Sequence, residues 1–460
     1  MSIVCSNTHG WLLDQRTYID QSYQHCLELG KTDGIGHLKC CFKKHYFDIV
    51  KPHILKSNTA DINISCRPVT VGNTDEVVPN LQTKDKESKP CTGKKKRKRK
   101  HKELNQGEID LQVYHEKVRT VILEGIAIIV EEGLSCGFFI RAENESKLEI
   151  PIDNSCLADL CDMAKQLPLV DDSEQKPLQV IDGNGEPIDL FTRVTEHPGK
   201  QAREVSLMGE RYLLPPHCSF LLSDITRMQP LVSYGKMFDA IVLDPPWENK
   251  SVKRSNRYSF LPSSQLKRLP VPLLSAQGCI VATWVTNRQK HLRFVRDELY
   301  PHWGVEVLAE WLWVKVTRSG EFVFPMDSPH KKPYEILVLG RYRGNRTHPF
   351  SPAETSETRL AELRLIVSVP SVIHSHKPPL AEVLKEYLGP DAKCLELFAR
   401  NLQPGWTSWG NEVIKFQHLS YFNVEPASWP DSRLSPPPAC SQSPALKPAL
   451  VKTNEVQPQV

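Results

Sequence analysis

The stretch Asp239-Ala240-Ile241-Val242-Leu243-Asp244-Pro245-Pro246-Trp247 decides the fold. Its apolar centre runs between two aspartates without alternation, the pattern of a strand buried on both faces of a parallel sheet. An acid, two prolines and a tryptophan end it. Pro245 biases Asp244 towards an extended conformation, and the proline pair leaves the turn stiff and poor in backbone donors. In open α/β sheets ligands bind beyond the carboxyl ends of the strands, where this turn belongs. A carboxylate and carbonyl acceptors beside a flat aromatic suit an aromatic amine, which donates through its NH2 while the ring is stacked. In isolation Asp-Pro-Pro-Trp reads as a strand-ending turn with a buried Trp. The buried strand ahead of it tips the reading towards a ligand site.

From 217 onwards strands alternate with helices. The pattern predicts strands at 218–222, 239–243, 278–286, 305–316, 334–342 and 393–398. It predicts a helix capped by Asn287 and stopped by Pro301, and another opened by Pro379 with Leu380, Val383, Leu384 and Leu388 inward. The fold class is α/β, a Rossmann-like, doubly wound and mixed sheet. Upstream, 106–133 reads as a helix from Val118, Val121, Ile122, Gly125, Ile126 and Ile129, with Gly133 as its C′ residue. A second helix fits 155–167. Residues 106–215 therefore form an accessory α+β domain, and 216–424 hold the principal domain. Residues 1–105 are a largely flexible N-terminal region, and 425–460 are a Pro/Ser-rich, disordered tail.

Length and composition exclude several classes. The 460 residues, 40% of them hydrophobic, support a sizeable core. No run approaches the ~18 apolar residues of a membrane span, and the start lacks a secretory pattern. Thirteen cysteines scattered without CxxC pairs fit neither a disulfide framework nor a zinc site, so no metal is expected. The formal charge of +4 conceals a string, Lys94 to Lys102, that contributes +8 and leaves the remainder at −4. Such a string serves nuclear localisation or nucleic-acid binding, or is a solvated linker.

A second set of residues points to the cofactor. Glu396 lies near the carboxyl end of the 393–398 strand, where an acid commonly accepts two ribose hydroxyls. No strand is followed by G-x-G-x-x-G, which disfavours a nicotinamide dehydrogenase. A cofactor with ribose and no phosphate, such as S-adenosylmethionine, fits better. Lys377 precedes a helix start and suits a carboxylate. His374 and His376 carry no catalytic assignment.

Five pieces in order, Ser223-Asp224-Ile225, Asp244-Pro245-Pro246-Trp247, Ser375-His376-Lys377-Pro378, Glu396-Leu397-Phe398-Ala399-Arg400 and Gly410-Asn411-Glu412, carry a resemblance. Residues 217–424 resemble the adenosine-N6 methyltransferase family typified by the catalytic subunit of the messenger-RNA methyltransferase. The resemblance implies a methyltransferase sheet with permuted motif order and S-adenosylmethionine as cofactor. It implies that Asp244, Pro245, Pro246 and Trp247 are catalytic. Asp224 and the Ile225 backbone would contact the cofactor's adenine and Lys377 its carboxylate. Glu396, Arg400, Asn401, Asn411 and Glu412 would surround ribose and methionine. Tyr258 falls on the substrate side, after a basic loop with Lys253, Arg254 and Arg257 suited to phosphates. The chain lacks two residues between Arg400 and Leu402-Gln403-Pro404, which loosens the match of Asn401, and Glu412 stands where the messenger-RNA enzyme has Gln. The implied substrate is RNA, internal 2′-O-methyladenosine of spliceosomal small nuclear RNA, with DNA adenine as the alternative and a non-catalytic RNA-binding scaffold as a further one. A monomer in the nucleus, with the cytoplasm also open, completes the expectation.

Overall fold

Burial on both faces places the Phe238–Leu243 strand in the middle of the sheet. In the computed structural model, Ile241 and Leu243 point into one apolar core, while Ala240 and Val242 point into a second on the opposite face. The structure describes residues 2–30, 37–53, 106–140, 157–166, 178–181, 188–248, 261–328, 331–344 and 359–426. Phe238–Leu243 pairs in parallel with Ser275–Val285 on one side and Cys394–Leu397 on the other. Trp406–Gly410 and Ser219–Leu222 continue the parallel run. Beyond Ser275–Val285 the sheet becomes mixed, since Tyr334–Tyr342 runs antiparallel to it and to Val305–Lys315. This is the doubly wound, mixed α/β sheet that the sequence predicts. Its parallel core sets the carboxyl ends of five strands along one edge.

The sheet extends further than the sequence indicates. Leu365–Ser368 joins Val305–Lys315, Gly10–Leu13 joins Leu365–Ser368, and Ile3–Ser6 forms the edge. On the opposite side Val194–Glu196 and Leu178–Val180 bring the total to twelve strands. A second sheet orders Phe422–Pro426, His37–Phe42, Cys26–Leu27, Ala202–Leu207 and Glu210–Leu214.

The reading of residues 1–105 as largely flexible is therefore corrected for 2–30 and 37–53, where Trp11, Leu12 and Tyr23 are fully buried. These strands are only two to six residues long, and beyond the local pairs Ile3–Ser6 with Gly10–Leu13 and Cys26–Leu27 with His37–Phe42 they join the sheets through segments far along the chain, so little local pattern announces them. The basic string at 94–102 lies outside the described residues, as does the start of the helix expected at 155–167. The division between 106–215 and 216–424 is also corrected. Helix Gln106–Ser135 sets Val118, Ile122 and Ile129 into the same core as Ile241 and Leu243. The expected tail start at 425 shifts, because the Phe422–Pro426 strand pairs with His37–Phe42.

Two helix signals were present but differently used. Gly133 does not end its helix. A Cβ there would stand 2.6 Å from the Phe139 ring, so the glycine makes room for that ring. The C′ role belongs to Gly137, at φ +75° with its N–H on the Leu134 carbonyl. Asn287 does not cap the next helix either; its side-chain amide donates to the Tyr334 carbonyl at 2.6 Å. That helical run passes through a π segment, Phe294–Leu299, and Pro301 sits in the first turn of Tyr300–His302, where a missing donor costs least.

The N-terminal strands are held by backbone contact with no room to spare. A Cβ on Gly10 would lie 1.9 Å from the Leu365 carbonyl oxygen. Gly10→Ala should therefore detach Gly10–Leu13 and lower the thermal midpoint of the whole cooperative transition by several degrees, corresponding to about 2 kcal/mol or more. Calorimetry checks this: an unchanged midpoint would show that the segment is not part of the cooperative unit.

Candidate active site

Four neighbouring strands end together along the carboxyl edge of the sheet. They deliver Asp244, the Phe398–Arg400 loop, Asn411-Glu412 and Ser223-Asp224 to one region. The Asp244 N–H donates to the Leu397 carbonyl at 3.3 Å, which locks the first two ends side by side. The Asp244 carboxylate lies between two cations, Lys377 Nζ on one oxygen and Arg400 Nη1 on the other, each at 3.4 Å. Lys377 also meets Glu335 at 2.8 Å, and Glu335 takes Lys315 on its other oxygen. On the far side Arg400 meets Glu412 at 3.1 Å, and Glu412 takes Lys415 at 2.9 Å. Seven charges thus alternate in sign from Lys315 to Lys415.

Alternation sustains the charges of Lys377 and Glu335. Burial alone would discharge Lys377, but Asp244 and Glu335 outweigh it and its pKa is raised. Burial likewise works against the Glu335 charge, and Lys315 and Lys377 together overcome it, holding the carboxyl well below its usual range. Glu396 stands apart from the chain. It is 9% exposed on Cys394–Leu397, and among the described residues Gln403 holds it, its Nε2 donating at 2.9 Å. Burial first, and the neighbouring Asp244 charge second, push its pKa up to about 7, with Gln403 and Arg400 opposing.

Two left-handed residues aim the side chains. Ser375, at φ +64°, turns the chain so that His376 enters the core while Lys377 reaches Asp244. The His376 imidazole stacks on Phe416 at 4.4 Å, and burial lowers its pKa to about 4, which is the behaviour of a packing residue. Phe398, at φ +61°, bends the loop that carries Arg400. That loop lies so close to Gly410 that a Cβ there would be 2.7 Å from the Ala399 carbonyl oxygen.

The structure sorts the remaining expected residues. Trp247 does not open onto the carboxyl edge as a stacking surface. It is 7% exposed, its indole N–H donates to the Trp284 carbonyl at 2.8 Å, and its ring lies on His291. The Pro246 carbonyl accepts from the Leu261 N–H at 3.0 Å, whereas among the described residues no donor reaches the Pro245 carbonyl. Asp224 caps the turn Ile225–Arg227 through the Thr226 N–H and pairs with Lys165 at 2.6 Å; Ile225 packs against the core. Asn401 lines a cavity bounded also by Tyr18, His376 and Lys377. Asn411 is exposed, and its carbonyl accepts from the Cys161 thiol. Tyr258, Lys253, Arg254 and Arg257 lie outside the described residues.

Sequence reasoning missed Glu335, Lys315, Gln403 and Tyr18. Glu335 did carry a signal, an acid opening an otherwise apolar strand, as Glu396 is an acid closing one. Lys315 and Tyr18 carried none. The donors and acceptors present fit S-adenosylmethionine: a buried carboxylate for a ribose diol, cations for a carboxylate, and acidic oxygens for an ammonium.

The profile described as MT-A70 matches residues 238–412, which include every member of the charge chain except Lys415. The human protein named N(6)-adenine-specific methyltransferase METTL4 is 51% identical over 391 residues, covering 84% of this chain and 81% of its own length. A Pyricularia oryzae protein named N6-methyladenosine RNA methyltransferase MTA1 is 37% identical over 220 residues, 46% of this chain and 56% of its own. A Caenorhabditis elegans protein named DNA N6-methyl methyltransferase is 32% identical over 220 residues, 47% of this chain and 57% of its own.

The Glu335 anion gives the alternating chain a testable pH signature. Glu335→Gln should destabilise the protein at pH 7 by about 1–3 kcal/mol, since it leaves two half-buried lysines sharing one partner fewer. The Glu335 pKa is depressed in the native state, so the wild-type advantage is complete above its unfolded value near 4.5 and shrinks as pH falls below it. Urea titrations of both proteins at pH 7 and 3.5 measure this. A gap that stays constant, or widens in acid, would contradict the assignment.

Proposed function

The chain belongs to the MT-A70 family of N6-adenine methyltransferases, and on that premise we propose that its substrate is RNA, at internal 2′-O-methyladenosine of spliceosomal small nuclear RNA. The observation that carries the chemistry is Asp244, a carboxylate between two cations at the end of a buried strand, beside the strand that bears Glu396. The exocyclic amine of adenine is a weak nucleophile because its lone pair is delocalised into the ring. Hydrogen bonds from that NH2 to the Asp244 carboxylate and the Pro245 carbonyl draw the lone pair out of conjugation and fix its direction. Bound S-adenosylmethionine supplies a methyl group already activated by sulfonium.

The protein's part is orientation and electrostatics. Lys377 and Arg400 hold the Asp244 carboxylate in position without protonating it. Glu396 accepts from ribose hydroxyls. Asp224 and the Ile225 backbone address the cofactor's adenine, and Lys377, Arg400, Asn401, Asn411 and Glu412 border its ribose and methionine. Pro246 and Trp247 act by rigidity, since the buried indole anchors the turn that presents Asp244. Lys253, Arg254, Arg257 and Tyr258 are assigned to the nucleic acid, whose target base must leave its stack. We assign the protein to the nucleus, on the basic string at 94–102, and expect a monomer.

DNA adenine is the second reading, favoured by the nematode relative's name. Methyl transfer to matched oligonucleotides separates the two: RNA with adenosine, RNA with one 2′-O-methyladenosine, and DNA. The 2′-O-methylated RNA should be preferred, and Asp244→Ala should lower turnover by about 10²–10³ while cofactor binding persists. Preference for DNA overturns the substrate, and near-normal turnover in Asp244→Ala overturns the mechanism.

Glu396 makes a separate prediction. Only its ionised form accepts two hydroxyl bonds, and its native pKa lies near 7. Cofactor affinity measured by calorimetry should therefore fall below pH 7, approaching tenfold per unit, and be nearly constant above pH 8. Glu396→Gln should bind weakly at every pH, with that dependence abolished.

A further inference from the structure

The N-terminal helix Gln15–Ser22 reaches the carboxyl edge of the sheet from a part of the chain that the family profile does not cover. Its Tyr18 ring lines the cavity that Lys377 and Asn401 also line. The Tyr18 hydroxyl donates to Gln403 Oε1 at 3.2 Å, and Gln403 Nε2 donates to Glu396 Oε2 at 2.9 Å. A carboxamide has one acceptor end and one donor end. By occupying the acceptor, the Tyr18 hydroxyl obliges the donor to face Glu396.

We propose that Tyr18 and Gln403 are positioning residues that set the protonation of Glu396, so that the N-terminal helix controls at what pH the cofactor binds. The inference rests on the reading of Glu396 as the ribose acceptor.

The arrangement is directional. Without the Tyr18 hydroxyl the Gln403 amide loses the bond that orients it, and either end can turn to Glu396. An oxygen facing the carboxylate repels its charge and favours the protonated acid, whereas an N–H favours the ionised one. Few other groups face this carboxyl. Asp244, from Phe238–Leu243, opposes its ionisation and Arg400, from the following loop, supports it. From neighbouring strands the register sets Val242 and Ser408 beside it, neither of them charged. Glu382 and Cys394 act on Tyr18, whose own pKa is raised chiefly by burial, so Tyr18 is a neutral donor throughout the working range.

The test is the pH dependence of S-adenosylmethionine binding to the full chain by calorimetry between pH 5.5 and 9. Wild type, Tyr18→Phe, Gln403→Leu and Glu396→Gln are compared. Tyr18→Phe removes one oxygen and should move the binding midpoint upward by roughly half a unit. Gln403→Leu removes the donor outright and should move it by about one unit. Both should approach wild-type affinity at pH 9, where Glu396 is ionised regardless. If either variant instead loses affinity equally at all pH values with the midpoint fixed, the helix is only a scaffold and the inference falls. An unmoved curve in Tyr18→Phe overturns it as well. Should Glu396→Gln retain the wild-type dependence, the underlying assignment of Glu396 fails, a result distinct from failure of the Tyr18 relay.

Discussion

Charge alternation along the carboxyl edge is the constraint on which the site depends. An isolated carboxylate on the rim of a half-buried crevice would take up a proton or draw in water. Here each anion is flanked by cations and each inner cation by anions, and Asp244 occupies the middle of the row. Its position is thereby set twice, by the strand that delivers it and by the two salt bridges that hold its oxygens. An acceptor held in this way meets an incoming amine without having to reorganise, which is the condition under which electrostatic catalysis is most effective. Glu396, on the adjacent strand and outside the row, is surrounded differently, by burial and the Gln403 amide. Two carboxylates in one crevice thus sit in different electrostatic surroundings, the condition under which they can take separate tasks.

Much of this was legible in the sequence where the chain repeats a local rule. Continuous apolar runs located the parallel strands around Asp244 and Glu396 to within a few residues, because burial on both faces leaves only apolar choices. Helix Gln106–Ser135 announced itself by its spacing. What escaped were elements that join the sheet through distant partners. Gly10–Leu13 pairs locally with Ile3–Ser6 but enters the sheet because Leu365–Ser368 offers it an edge, and no pattern in either segment names the other. Glycine misled for a related reason: Gly133 reads as the helix end, whereas it makes room for the Phe139 ring and Gly137 takes the C′ place.

The same limit applies to the site. Strand-end acids and the lysine before a helix could be singled out, but Glu335, Gln403 and Tyr18 acquire their meaning from partners far along the chain. Trp247 illustrates the opposite error, in which a residue type suggests contact with the substrate while packing assigns it to the anchorage of the turn. The turn is as stiff as the prolines imply, yet the tryptophan contributes by being unable to leave.

The pairing of His37–Phe42 with Phe422–Pro426 ties a segment made early in synthesis to one made much later. Gly10–Leu13 likewise waits for Leu365–Ser368, and Tyr18 for Gln403. Loop-closure entropy must be met before such distant contacts repay it, so these pairings form only after both segments exist. During that interval the apolar faces of Trp11, Leu12 and Tyr23 lack their final cover, and a nascent chain of this design depends on being shielded until the later segments have emerged.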